Sequence, residues 1–304
     1  MRAAAILGPG CSPKHVKPFQ DAAEHYAVEW RLGSPFAGEQ ADAVVLFGGD
    51  GTIHHHLNEL VKLGIPILGV PVGSGNDFAR ALGFRRVRDA LAAWRRFCAG
   101  HGDVRAIDLG VIAPLQTSSA SRDRDRSGTT ELVRGHYFCS VAGVGLDCEV
   151  ARRANTLPPW LRGHGGYTLS LIPMIFRFAP LPMKILAQHE SGWTARGDQP
   201  TILAAFANTS TYGSGMKIAP QARMDDGQLD VCVIGGIDPF KLFCLFPTVY
   251  FGRHIRIREV QYWRSARVRV ETETPLDVYS DGEYVCRTPV EMSVQAAALK
   301  VLMP

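Results

Sequence analysis

Short apolar runs alternate with helical stripes through the first third of the chain. Ala3–Leu7 reads as a strand and Val16–Val28 as a helix. Asp42–Phe47 is an uninterrupted apolar run of the kind found inside parallel sheets. Ile53, Leu57, Leu60 and Val61 then fall at helical spacing, Ile65–Val70 is the next strand, and Val87, Leu91, Trp94 and Cys98 mark a further helical face. Strand and helix in strict alternation predict an α/β N-terminal domain with an open parallel sheet.

The pattern changes after about residue 113. Thr117–Thr130 is polar and nearly free of apolar side chains, so residues 114–132 read as a flexible insertion. Beyond it the runs are β-like: Tyr137–Val141, Met183–Ala187, Thr201–Ala207, Leu229–Ile234 and Arg267–Glu273. In the last of these Val268 and Val270 alternate with Arg267, Arg269 and Glu271, the period of a half-buried strand. Residues 133–289 thus form a β-rich, sandwich-like C-terminal domain, and 290–304 are expected to return to the N-terminal one. Two segments are apolar beyond what a strand needs: Tyr167–Met183 and Phe240–Phe251. They read either as buried core or as an acyl-chain pocket and membrane-docking surface, with Arg253, Arg256 and Arg258 nearby to meet lipid phosphates.

Composition narrows the class only modestly. The 304 residues suffice for two cores, and 46% hydrophobic with 20% charged residues is ordinary for a globular protein. A net charge of +4 gives no ground for a nucleic-acid partner, yet suits visits to an anionic membrane surface. The seven cysteines are scattered and never spaced C-x-x-C, which predicts reduced thiols in a cytoplasmic protein. The apolar stretch before Cys11 is shorter than the about 7–15 residues of a secretory signal, and no run reaches the about 20 of a membrane span.

Chemistry concentrates in two glycine-rich loops. Gly48-Gly49-Asp50-Gly51-Thr52 stands where an apolar strand ends and a helix begins, the place where open α/β sheets bind anionic ligands. Glycines there let backbone N–H groups approach a phosphate without Cβ clashes. Asp50 would repel a bare anion, but it makes sense facing Mg²⁺ or an attacking hydroxyl. Taken alone, the loop has a minority alternative reading as a tight turn with Thr52 as helix cap. The next strand, however, ends in a second loop of the same kind, Pro71-Val72-Gly73-Ser74-Gly75-Asn76-Asp77-Phe78-Ala79-Arg80, in which Asn76 or Asp77 is placed to cap a helix. Two such loops on consecutive strands predict a polyphosphate site.

This pair of motifs resembles the diacylglycerol kinase catalytic family, which includes soluble bacterial diacylglycerol kinases and the sphingosine and ceramide kinases. The resemblance continues through Ile107-Asp108-Leu109-Gly110, through Asn208 with Tyr212–Pro220, through Asp225-Asp226-Gly227-Gln228-Leu229-Asp230, and through Asp281-Gly282-Glu283. It implies transfer of the ATP γ-phosphate to the hydroxyl of a lipid, with ATP and Mg²⁺ as cofactors. Gly48, Gly49, Asp50, Gly51, Thr52, Gly73, Ser74, Asn76, Asp77 and Asp281 would serve the nucleotide. Asp50, Asp108 and Glu283 would form the catalytic acidic cluster, with Glu283 the first choice as proton acceptor. Asp226, with the backbone carbonyls of Arg223 and Gln228, would hold a structural Mg²⁺. The implied partner is a lipid at a membrane surface, met peripherally by a cytoplasmic protein; a homodimer is compatible with the sequence.

The chain also departs from the family pattern. Gly8-Pro9-Gly10-Cys11-Ser12 lacks the asparagine usual after the first strand, and His54-His55-His56 replaces the usual Asn-Glu. Three consecutive histidines spread over roughly 200° of a helix, so they cannot share one metal and read as half-exposed helix residues. An NAD kinase-like or other small-molecule kinase, and a nucleotide-binding protein without turnover, are the alternative readings.

Overall fold

A computed structural model describes residues 1–33, 41–115, 135–157, 167–190, 192–197, 199–213 and 215–304. The polar run at 117–130, and Ser214 of the Tyr212–Pro220 motif, lie outside the described residues. The N-terminal apolar runs form strands β1 (Arg2–Leu7), β2 (Glu29–Leu32), β3 (Ala43–Gly48) and β4 (Ile67–Pro71). All are parallel, in the order β2-β1-β3-β4. Every residue of β3 is buried, as expected of a strand covered by helices on both faces.

Four helices connect these strands and follow them: α1 (Pro13–Asp21), α2 (Asp50–Leu63), α3 (Asp77–Ala81) and α4 (Val87–Cys98). Their apolar stripes supply Val16, Phe19, Leu57, Leu60, Ala90 and Trp94 to one core. The first helix is shorter than its apolar pattern suggests. It ends at Asp21, a short 3₁₀ turn follows, and Ala27 takes a left-handed φ of 49° that ends helical geometry.

The rest of the chain is a β-sandwich. Its strands are β5 (Val104–Pro114), β6 (His136–Phe138), β7 (Val141–Gly145), β8 (Leu181–Pro182), β9 (Lys184–His189), β10 (Gly192–Gly197), β11 (Pro200–Ala207), β12 (Leu229–Gly235), β13 (Val260–Ser265), β14 (Arg267–Glu271), β15 (Asp277–Ser280), β16 (Glu283–Arg287) and β17 (Val290–Leu302). One sheet runs β13-β12-β11-β7-β15-β16. The other continues from the N-terminal sheet: β17 lies parallel to β4 at Val301 and Ile67, pairs antiparallel with β5, and carries β14, β9 and β10 beyond it. Ile112, Phe138, Ile185, Val268, Val270 and Met292 from this sheet interdigitate with Val144, Phe206, Val231 and Val278 from the first.

Three helices cover the outer face of the β13-β12-β11-β7-β15-β16 sheet: α5 (Leu146–Thr156), α6 (Tyr167–Ile175) and α7 (Pro239–Leu245), the last continued by a 3₁₀ turn over Phe246–Phe251. The over-apolar segments are therefore helical over Tyr167–Ile175 and over most of Phe240–Phe251, and the latter is divided in orientation. Leu242, Leu245, Phe246 and Val249 turn into a cavity, whereas Phe240, Phe243 and Phe251 remain exposed. The predicted strand Tyr137–Val141 is instead two, β6 and β7, broken at Cys139-Ser140. The amides there point to a side chain, Asp281, rather than to a neighbouring strand.

Candidate active site

Strands β1, β3 and β4 end side by side, so the loops after them form one edge. Gly8 and Gly48 both pack against Thr52. A Cβ at either would come within 2.3 or 2.4 Å of its Oγ1, so the small residues let α2 start tight against the sheet. Thr52 lies inside α2 as this wedge, and Gly49, not Thr52, occupies the N-cap position. The second loop touches the first backbone to backbone: a Cβ on Gly73 would stand 2.4 Å from the Gly49 Cα. Asn76, at a left-handed φ of 57°, accepts the Gly73 amide at 3.0 Å and fixes the turn from behind.

Asp50 ties the two loops together. Its carboxylate accepts the backbone amides of Asp77 and Phe78, each at 3.0 Å, across the gap between α2 and α3. Burial pushes its pKa up to about 6; the two amides work against this, and the charges of Asp77 and Asp281 add to it. The open N-terminus of the fourteen-residue α2 meets the same space, with N–H groups that have no partner in their own helix.

From the other domain the β15–β16 turn closes over these loops. Asp281, at φ 50°, turns its fully buried carboxylate inward. It accepts the amides of Cys139 and Ser140 at 2.9 Å and of Val141 at 3.3 Å, and it meets His54 Nδ1 at 3.3 Å. Burial alone would raise the Asp281 pKa, but the hydrogen bond and charge of His54 and the amides outweigh it and leave it lowered. For His54, burial works downward, while the hydrogen bond to Asp281 and the charges of Asp281 and Glu283 prevail and leave it raised. Glu283, by contrast, is exposed and reaches over Gly51.

These elements line one cleft of about 1050 Å³. Gly8, Pro9, the Gly49–Thr52 and Gly73–Gly75 segments, Asp77 and Glu283 bound its polar end. The other end is apolar, with Leu146, Val150, Leu171, Ile175, Leu242, Leu245, Phe246 and Val249. No lysine or arginine is among the described residues that line it.

The structure thus gathers most of the predicted nucleotide residues, with exceptions. Gly48 and Asn76 sit behind the loops rather than in the cleft, and Asp281 offers its carboxylate to the protein interior, not to a ligand. Asp108 is not brought to the cleft either. Strand β5 directs it the other way, where its two oxygens accept the amides of Gly227 and Ala297 at 2.8 Å. That carboxylate braces the Asp225–Gln228 turn against a bulge in β17. In the turn itself Asp226 accepts the Gln228 amide at 3.1 Å, and its second oxygen is buried without a hydrogen-bond donor, 3.8 Å from Arg264. The Arg223 side chain is engaged with Asp225 at 2.9 Å, leaving its carbonyl as the group relevant to an ion. An underused buried carboxylate oxygen is compatible with a hard cation there.

Asp147 was not singled out from sequence. It opens α5, directly after β7, and lines the cleft. A Cβ on Gly143 would fall 1.7 Å from its carboxylate, so that glycine makes room for it. Burial, opposed by the backbone and thiol of Cys148, pushes its pKa up to about 7. The signal was present as Gly143-Val144-Gly145-Leu146-Asp147 at a strand-to-helix junction. The histidines are half-exposed to exposed, as expected, but His54 has a partner that the sequence did not reveal, the buried Asp281.

Comparison with known proteins agrees with this architecture. Residues 17–112 match the model of the diacylglycerol kinase catalytic domain, and residues 140–303 match that of the YegS C-terminal NAD kinase beta sandwich-like domain. The chain is 33% identical to a diacylglycerol kinase of Mycobacterium tuberculosis over 86% of its own length and 77% of that protein's. It is 28% identical to a diacylglycerol kinase of Bacillus subtilis over 86% and 78%, respectively. Among solved structures, a diacylglycerol kinase from Bacillus anthracis superposes with a TM-score of 0.68 at 16% identity, covering 100% of this chain and 97% of that one. An NAD kinase from Archaeoglobus fulgidus in complex with ATP gives 0.53 at 15%, covering 100% and 93%; both likenesses concern the fold. With both domain models matched in order and this degree of identity across most of its length, the chain belongs to the diacylglycerol kinase catalytic-domain family.

Proposed function

We propose that this protein is an ATP- and Mg²⁺-dependent lipid kinase that phosphorylates the hydroxyl of diacylglycerol or a chemically related lipid. The observation that carries the reading is the single cleft with glycine loops and a helix N-terminus at one end and an apolar bay at the other. A kinase for a small soluble alcohol has no use for the bay, whereas acyl chains need one.

Phosphoryl transfer asks for positioning and charge neutralisation more than for covalent chemistry. The amides of the Gly49–Thr52 loop and the α2 N-terminus bind the phosphates, and Ser74 adds a hydroxyl from the second loop. Mg²⁺, when bound, would neutralise phosphate charge, and Asp50, beside the phosphate loop, is the carboxylate that would hold it. The acceptor oxygen forms its bond to the γ-phosphorus as the bond to the ADP oxygen breaks, and the hydroxyl proton passes to Glu283. Asp147, between the bay and the loops, holds the lipid head by a hydrogen bond. Asp226, with the carbonyls of Arg223 and Gln228, would hold a second, structural Mg²⁺ that pins the turn next to β12.

Lipid is met at a surface. Phe176, Phe240, Phe243 and Phe251 are exposed on the elements that wall the bay, with Phe176 and Phe243 in ring contact at 5.7 Å. Arg177, Lys241 and Arg253 lie beside them in sequence. Peripheral docking there would place the mouth of the bay against the bilayer. No helix among the described residues is long and apolar enough to cross a membrane.

The test is phosphate transfer from labelled ATP to a panel of lipids in mixed micelles, with NAD as a soluble control and Glu283→Gln run in parallel. Labelled lipid from the wild type and at least about 10²-fold less from the variant is expected. Transfer to NAD, or to no acceptor, would sink the proposal.

A further inference from the structure

The polar end of the cleft has an unusual charge inventory. Carboxylates of Asp50, Asp77, Asp147 and Glu283 surround it, and no lysine or arginine lines it among the described residues. Arg80 is near, but its guanidinium is directed to Asp77 at 3.4 Å. Side chains that neutralise transferring phosphate are ordinarily lysine or arginine. Here the lining groups able to carry positive charge are histidines: His54, His55, His56 and His254.

One of the four is built for it. His54 Nδ1 points to Asp281, whose carboxylate is fully buried, held by three backbone amides and lowered in pKa, so it stays ionised. Nδ1 must therefore donate, which leaves Nε2 on the opposite side of the ring. The side chain keeps 17% exposure, and the residue lines the cleft one helical turn from Asp50. The charged groups that act on it are Asp281 and Glu283, both from the β15–β16 turn; the Cys139 thiol at the β6–β7 break also meets Asp281. Against them stands the positive end of α2, too small to offset two carboxylates. His56 and His254 are both lowered, chiefly by burial.

We propose that Asp281 holds His54 as an imidazolium whose Nε2–H contacts nucleotide phosphate, supplying the positive side-chain charge that lysine or arginine would otherwise provide. This rests on the reading of the cleft as a nucleotide-phosphate site. No bond is made or broken at His54; it binds, and its proton is retained through the cycle.

Two measurements test it. The first is calorimetric titration of ADP with saturating Mg²⁺ between about pH 6 and about pH 8.5, comparing wild type with His54→Asn and His54→Gln. Ligand protonation is common to all three proteins, so the difference isolates the histidine. Wild-type affinity should exceed that of both variants by on the order of tenfold at the acid end, and the gap should close toward pH 8.5. The second is NMR titration of the wild-type His54 ring, which needs no variant to fold and should show a pKa above the ordinary 6.5 that rises further with ADP bound. Variants that bind like wild type at every pH, or a ring that titrates at or below 6.5 with ADP bound, would overturn the inference while leaving the kinase reading intact. Failure of the wild type to bind Mg²⁺-ADP at any pH would overturn the phosphate-site reading itself, and this inference with it.

Discussion

Asp50 carries a cost that the fold tolerates for the sake of the site, and Asp50→Asn should expose it. Its pKa of about 6 in the fold, against 3.8 for the free group, means that the folded protein penalises the ionised form. The difference corresponds to about 3 kcal/mol. The sign follows from linkage. A carboxyl raised on folding adds relative stability while protonated, below about pH 4, and loses it as pH rises through about 6; at pH 7 the wild type bears the full penalty. Asparagine has nearly the same shape and no charge. Its single oxygen can accept only one of the amides of Asp77 and Phe78 well, which returns roughly 1–2 kcal/mol of the gain. A net stabilisation of about 1–2 kcal/mol at pH 7 remains, a rise of a few degrees in the melting temperature. Under the proposed function, the same variant should lose about 10²-fold or more in phosphate transfer, the trade expected where a destabilising buried carboxylate serves a site. Thermal melts at pH 7 and pH 5, with turnover measured at pH 7, decide the matter. An Asp50→Asn protein that melts lower at pH 7, or whose gain is as large at pH 5, would refute the reasoning.

Two further changes probe the loops and the lipid surface. Gly73→Ala puts a Cβ 2.4 Å from the Gly49 backbone, so the loops must part; about 1–3 kcal/mol of stability and about 10²-fold in kcat should go, whereas Gly197→Ala, with nothing within 4 Å, should melt within about 0.5 kcal/mol of wild type. Phe240→Ser with Phe251→Ser, at 68% and 72% exposed, should leave the melting temperature nearly unchanged yet weaken sedimentation with anionic vesicles several-fold; equal vesicle binding would rule out this face as the docking surface.

How much of this could be read without coordinates depends on the range of the interaction. The α/β half and its phosphate loops are local: an apolar run such as Ala43–Phe47 ends in Gly48-Gly49-Asp50, and neighbouring residues suffice to specify strand, turn and helix start. The sandwich strands with clear alternation were legible for the same reason. What local pattern could not supply was orientation between distant segments. Asp108 and Asp281 both belong to acidic motifs, yet strand pairing sends one to a structural turn and buries the other under His54, 227 positions away in sequence. The β6–β7 break, too, is set by Asp281 rather than by its own residues. Asp147 lines the cleft only because β7 and α5 are set beside the loops. By itself the sequence determined the alternating strands and helices of the α/β half, the clearly alternating sandwich strands, the two glycine loops and the family resemblance, because propensity, backbone freedom and capping act over a few residues. Only the tertiary structure decided which carboxylates face the cleft, that no lysine or arginine lines its described walls, and that the apolar helices open as a bay, because burial and charge belong to neighbours in space.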